Sequence, residues 1–234
     1  MVNLKEQIKL SIIIPTFNEA ERLTLLLADL GRIEPPIEII ISDAQSKDST
    51  ELITKIAGAQ YLECQEANRG RQLHDGASSC KGDWILFIHA DSRLSFKSLR
   101  RLNNIITNKK CIDKCYFFNL KIKGKGILFR LLEMAIMFRS NILGIPYGDQ
   151  ALLIRKEFYK KIGGYKPLYL MEDLDIIERI KPVMNIKSTG TDIFTDSRRW
   201  KNCSVISKSI SNYKLRRRWR RGESSKNLFR EYYY

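Results

Sequence analysis

Acids stand where the apolar runs of this chain stop. Leu10-Ser-Ile-Ile-Ile14 is followed by Pro15-Thr-Phe-Asn-Glu19, a second run by Asp43-Ala-Gln-Ser-Lys-Asp48, and a third, ending at His89, by Ala90-Asp91-Ser92. Carboxylates repel a bare phosphate, so a nucleotide held among them needs a divalent cation as a bridge. No Walker A sequence is present and no GxGxxG follows the first run. That weakens a kinase, a P-loop NTPase and a dinucleotide enzyme. Arg69-Gly-Arg71 follows a further short run. Its guanidinium groups either face a phosphate or stand in solvent. Glu172-Asp173 opens a helical pattern, where the helix dipole stabilises a carboxylate whether or not it does chemistry.

The elements that must position these groups can be read in order. The β-branched run 10–14 predicts a strand buried on both faces, as in a parallel sheet. Asn18-Glu-Ala-Glu21 predicts an N-cap and a helix to about residue 30. Residues 37–42 read as a strand, Asp48-Ser-Thr-Glu51 as a second cap with a helix to 57, and 60–64 as a third strand. A helix over 72–79 and a strand over 84–89 complete four strands alternating with three helices. This is an open α/β sheet with right-handed crossovers, whose ligands lie at the carboxyl ends of the strands. Beyond residue 95 the pattern predicts helices over 98–107, 127–143 and 172–180 and strands over 116–122 and 151–155. In the helix over 127–143, Arg130, Glu133, Ser140 and Asn141 share one narrow face and Arg139 lies opposite. A cation there either snorkels or faces a site.

With these residues in place, the chain resembles the family 2 glycosyltransferases of the GT-A fold. Ser11-Ile-Ile-Ile-Pro-Thr-Phe-Asn-Glu19, Ile41-Ser-Asp-Ala-Gln-Ser-Lys-Asp-Ser-Thr50 and Phe87-Ile-His-Ala-Asp91 carry the likeness, with Pro146-Tyr-Gly-Asp-Gln150, Lys161-Ile-Gly-Gly-Tyr165, Met171-Glu-Asp-Leu174 and Ser197-Arg-Arg-Trp200 in register behind them. His89-Ala-Asp91, Tyr147-Gly-Asp-Gln150 and Arg198-Arg-Trp200 resemble a small bacterial subgroup. The resemblance implies a GT-A domain over 1–203, with a nucleotide-binding half at 10–95 and an acceptor half at 96–203, built on a mixed, mostly parallel sheet flanked by helices. It implies transfer of a sugar from a nucleotide-sugar donor, UDP-linked in most of the family, to an acceptor hydroxyl with inversion.

The resemblance also implies roles for residues. Asp43 would accept a nucleobase N–H, with Pro15 and Glu19 lining the same pocket. Arg69, Arg71, Arg199 and Trp200 would contact the donor, the last two near its diphosphate. Asp91 would bind the divalent cation, Mn²⁺ or Mg²⁺. Where the family has a further acid, this chain has His89, and imidazole ligates Mn²⁺ but suits Mg²⁺ poorly. Asp173 would be the general base that deprotonates the acceptor, with Glu172 as a lesser candidate. Asp149 and Gln150 would border the acceptor.

The chain of 234 residues carries a net charge of +15, most of it late. From Arg198 onward there are twelve Lys/Arg against two Glu. The segment 204–234, with Trp219, Phe229 and Tyr232 to Tyr234, reads either as an interfacial membrane segment on an anionic surface or as a solvated tail. The acceptor stays open among a lipid, a carotenoid-like apolar alcohol, a growing glycan and a small hydroxyl compound, a lipid being the one that suits this segment. A nucleic-acid partner rests on this segment alone and leaves the acids at three strand ends unexplained. A non-catalytic nucleotide-binding scaffold is the other alternative. Five scattered cysteines complete no zinc site and predict reduced thiols, hence a cytoplasmic protein, peripheral on the inner face of the membrane if the basic segment binds there.

Overall fold

The computed structural model describes residues 7–34, 36–124, 126–196 and 205–233. The first half follows the expected alternation: β1 (Leu10–Thr16), α1 (Ala20–Leu30), β2 (Ile37–Asp43), α2 (Thr50–Ile56), β3 (Gln60–Glu63), α3 (Arg69–Ser79) and β4 (Trp84–Phe87). Then come β5 (Arg93–Leu94), α4 (Phe96–Thr107), β6 (Lys114–Lys123), α5 (Ile127–Asn141), β7 (Leu152–Arg155), α6 (Lys156–Lys161), α7 (Glu172–Ile180), β8 (Asn185–Asp196), α8 (Val205–Arg220) and α9 (Ser225–Tyr233).

One sheet of eight strands runs β3-β2-β1-β4-β7-β6-β8-β5. β1 pairs in parallel with β2 and β4, and β2 with β3. β7 enters antiparallel between β4 and β6, and β8 lies parallel to β6. Leu10, Ile12, Ile13 and Ile14 have no exposed surface. β1 is therefore covered on both faces, by α1 on one side and α3 on the other. Burying such side chains contributes about 1.5–3 kcal/mol each, which anchors the central strands from which the site loops project.

Four differences from the sequence reading bear on function. First, α3 starts at Arg69 rather than 72, so Arg69-Gly-Arg71 is a helical first turn and not a loop. Asn68 caps it by accepting from Arg71 N at 3.0 Å. Gly70 is required there, because a Cβ would lie 2.2 Å from the Lys166 carbonyl.

Second, Asn18 does not cap α1. It sits in the left-handed region at φ 53°, and the first amide of α1, Ala20 N, donates to Asp48 Oδ2 at 3.0 Å. The other oxygen of Asp48 accepts from Thr50 N at the start of α2. One carboxylate thus serves two helix starts. Burial acts to raise its pKa, but the donors from Thr50 and Ala20 hold it below the ordinary range.

Third, β8 carries no apolar period in the sequence. Its inward positions are Thr189, Thr191, Ile193 and Thr195, and Gly190 adds a left-handed residue at φ 77°.

Fourth, the segment 204–234 is no solvated tail where it is described. Leu215 of α8 and Leu228 of α9 are buried against Met171 and Leu174. Arg218 pairs with Glu223 at 2.7 Å, and Arg220 pairs with Glu178 at 2.8 Å.

Candidate active site

The loops after β1 and β4, the starts of α3 and α7, the 147–149 turn and one face of α8 enclose a cleft of about 590 Å³. Glu19, Arg69, His89, Asp149, Glu172 and Asp173 line it together. These six are residues the sequence singles out. They come from five separate segments, so the fold brings them together.

Asp173 sits in the first turn of α7. Its Oδ2 accepts from Gly148 N at 2.9 Å and its Oδ1 from Leu174 N at 2.7 Å. Each oxygen keeps a second lone pair, so the carboxylate is oriented without being used up. Gly148 is the hinge of the arrangement. A Cβ there would lie 3.0 Å from His89 Nε2 and 3.6 Å from Asp173 Cβ. A side chain there would press on the imidazole, so glycine lets the imidazole and the carboxylate approach the same turn without a shift. Met171, just before α7, holds φ 70°, and Ala151, just after this turn, holds φ 55°. Such backbone costs of order 1–3 kcal/mol per residue and is kept where the surroundings impose it.

Glu172 is 4 % exposed and lies 3.8 Å from Arg69 Nη1. Burial and the charge of Asp173 push its pKa up to about 7, against the opposing pull of Arg69. Burial acts against the charge on Arg69, but Glu172, Asp173 and Asp91 raise its pKa above the ordinary value. The cation is therefore permanent.

Asp91, two residues beyond His89, is 7 % exposed and does not line the cleft. Among the described residues no three His, Cys, Asp or Glu come together as a metal cage. His89 and Asp91 supply one imidazole and one carboxylate. That donor set fits a cation whose remaining positions come from phosphate oxygens and water.

Other sequence candidates stand elsewhere. Asp43 is fully buried. Its carboxylate accepts from Thr16 Oγ1 and Ser46 Oγ at 2.6 Å each, from Ser46 N at 2.7 Å and from Tyr61 OH at 3.0 Å. Four donors saturate a carboxylate, so Asp43 braces the β2–α2 loop instead of presenting an acceptor to the cleft. Pro15 is half-buried in β1, beside the same loop, and does not line the cleft. Arg71 is exposed and paired with Asp75 at 2.9 Å.

Gln150 is fully buried. It accepts from Arg139 Nη2 at 2.9 Å and Ser140 Oγ at 2.6 Å, and donates to the Phe118 carbonyl at 3.2 Å. Its Oε1 also accepts from Tyr147 N at 3.4 Å, so it closes the 147–150 turn and does not line the cleft. Arg139 neither snorkels nor enters the cleft. It ties down the 139–150 loop and stacks 3.5 Å over the Tyr147 ring. Arg199 and Trp200 lie outside the described residues.

Sequence reasoning missed the wall that α8 and α9 contribute. Lys208, Asn212, Leu215 and Arg216 of α8 line the cleft with Tyr147, Tyr232 and Tyr233. Arg216 lies 5.3 Å from the Tyr147 ring centre and Lys208 Nζ 4.0 Å from that of Tyr232. The signal was the spacing 208, 212, 215, 216, one face of a helix, masked by the surrounding run of cations.

The sequence profile described as Glycosyl transferase family 2 matches residues 11–163. The chain belongs to that family. An uncharacterized glycosyltransferase of Haemophilus influenzae is 25 % identical over 184 residues, covering 73 % of this chain and 61 % of its own length. Staphylococcus aureus TarS 1-349, solved in complex with UDP-GlcNAc, superposes at TM-score 0.65 with 17 % identity, over 82 % of this chain and 59 % of that one. The mannosyltransferase PcManGT from Pyrobaculum calidifontis, solved with GDP-Man and Mn²⁺, superposes at 0.64 with 14 % identity, over 89 % and 60 %. The fold is GT-A, and this family 2 chain spans about three-fifths of the length of these proteins. No described helix is long and apolar enough to cross a membrane.

Proposed function

We propose that this glycosyltransferase moves a sugar from a nucleoside-diphosphate donor to an acceptor hydroxyl by inverting displacement, with Asp173 as general base. The observation that carries the reading is the placement of Asp173. It faces the cleft with both oxygens fixed by backbone amides, opposite the cations Arg69, Lys208 and Arg216. A sugar hydroxyl is a poor nucleophile until its proton is withdrawn, and a fixed carboxylate can withdraw it. The cations face the side where a leaving diphosphate gathers charge, and preorganised positive charge lowers the barrier there.

A divalent cation would be held by Asp91 and His89, and the imidazole favours Mn²⁺ over Mg²⁺. When bound, it would supply charge neutralisation at the diphosphate. The base, uridine on family grounds, would rest near Pro15 and Glu19 against the loop that Asp43 braces. Arg199 and Trp200 remain donor-side proposals on the resemblance alone, and Asp149, with Gln150 behind it, would border the acceptor on the same ground. The membrane association expected of 204–234 is likewise a proposal. So are the cytoplasmic location and the division at residue 203, although α8 forms part of the cleft wall.

The test is a thermal-shift panel of UDP, GDP, CDP, ADP and dTDP, each with and without Mn²⁺ and Mg²⁺. Metal-dependent stabilisation by one nucleotide, strongest with Mn²⁺, is expected. No shift with any pair would overturn the donor site and leave the nucleic-acid alternative to be tested through the basic segment.

A further inference from the structure

Helix α5 wears its polarity inside out. Its buried positions include Glu133 and Ser140, with Ile136 as the apolar one. Glu133 accepts from Ile122 N at 2.7 Å and from Arg130 at 2.8 Å, and Ser140 donates to Gln150. The polar stripe that the sequence shows is therefore consumed against β6 and the 147–150 turn. The apolar face points outward. Ile127, Leu131, Met134, Met137, Phe138 and Ile142 are each more than half exposed. At 100° per residue they form one continuous face over four turns. A patch of this extent marks an interaction surface.

We propose that this face docks on an anionic lipid bilayer, with the apolar side chains inserted at the headgroup boundary. The charge around it selects this occupant. Exposed Lys123, the last residue of β6, stands at its N-terminal end. α8 packs against α5, and Lys214, Arg217 and Arg221 of α8 line a separate groove of about 800 Å³ toward α9. Apolar residues flanked by Lys and Arg are what an interfacial helix on anionic lipid requires. Each such cation strengthens adsorption roughly fivefold. Two copies of a chain that carries +15 overall repel each other, which disfavours a second copy as the occupant.

The docking stands on α5 and the cations, independently of the transferase reading. If that reading holds, a consequence follows. The C-terminal end of α5 abuts the cleft through Arg139 and Tyr147, so docking would bring the cleft to the headgroups. A hydroxyl borne by a lipid would then be within reach of Asp173.

The test is co-sedimentation of the full chain with phosphatidylcholine vesicles, with and without phosphatidylglycerol, for the wild type and for the double variant Leu131→Ser/Phe138→Ser. Both side chains stand in solvent, so an unchanged melting curve is expected. The wild type should bind only the anionic vesicles and release with salt, and the variant should bind at least tenfold more weakly. Phe138→Trp should show blue-shifted emission on anionic vesicles. Equal binding by the double variant, no binding by the wild type, or a wild-type dimer in light scattering that the double variant makes monomeric would each overturn the proposal. None of these readouts uses transferase activity, so donor binding can fail or succeed separately.

Discussion

Two sets of carboxylates meet at the carboxyl edge of this sheet, and they do opposite things. At the ends of β1 and β2, Asp43 and Asp48 are turned into the protein. They accept from Thr16, Ser46, Tyr61, Ala20 and Thr50 and stitch two loops and two helix starts together. Around the 147–150 turn and the start of α7, Asp149, Glu172 and Asp173 face the cleft. The residue types are the same, but the first set stands at a strand end and its loop and the second in a turn and a helix start. The difference lies in the donors nearby: hydroxyls and loop amides that close over the first set, and backbone amides that hold Asp173 from behind. Acids at the ends of strands and helices are thus either braces or working groups, and only their partners distinguish them.

The sharpest break of this contrast is Asp173→Asn. Loss of the base should lower turnover by roughly 10²–10⁴-fold while donor binding stays nearly intact. Steady-state rates and nucleotide titration measure the two halves. An active Asn variant would remove Asp173 from the base role. Asp43→Ala should do the reverse. It removes the acceptor that four donors from Thr16, Ser46 and Tyr61 share and should cost about 3 kcal/mol of stability in urea unfolding. If it instead melts like the wild type but fails to bind nucleotide, Asp43 belongs with the working set after all.

Glu172 sharpens the comparison through pH. Its pKa is raised from the ordinary glutamate range to about 7. The folded state therefore binds more protons than the unfolded state between about 4.5 and 7. The stability this contributes is fully present below the unfolded value and is lost as pH rises through the folded one. Glu172→Gln should remove that slope and be more stable than the wild type at pH 8, by roughly 2 kcal/mol. Thermal melts at pH 5 and pH 8 decide it. Parallel curves for both proteins at the two pH values would show that Glu172 is ionised throughout, as a working carboxylate paired with Arg69.

How much of this was legible beforehand follows the same physics. β1 and β2 announce themselves by continuous β-branched runs, and β4 by a short apolar run that is buried throughout. β8 does not, since threonines fill its inward positions and hydroxyl-lined packing leaves no apolar period. The six cleft residues were legible as types at strand and helix ends. The status of Asp43 was not, because it depends on Thr16 and Tyr61, which arrive from other strands. α5 was legible as a helix, but which face turns inward depends on partners from elsewhere in the chain, Ile122 N for Glu133 and Gln150 for Ser140.

The cations of α8 were the least legible and give the smallest expected effect. Lys208 and Arg216 sit in a run where most Lys and Arg do face solvent, and nothing local separates them from Arg217 or Arg221. Their position becomes specific only because Leu215 is buried against Met171 and Leu174, which turns that side of the helix to the cleft. A half-exposed cation opposite a diphosphate is partly screened by water, so each should contribute modestly. Arg216→Ala should weaken nucleoside-diphosphate binding by about five- to tenfold, and the loss should shrink with added salt. Arg217→Ala, one residue on and outside the cleft, should change it less than twofold. Calorimetric titration of both variants with the nucleotide selected by the thermal-shift panel separates a cleft cation from a general basic surface. Equal losses from the two would mean that α8 acts through its summed charge and that its orientation over the cleft is without consequence for the donor.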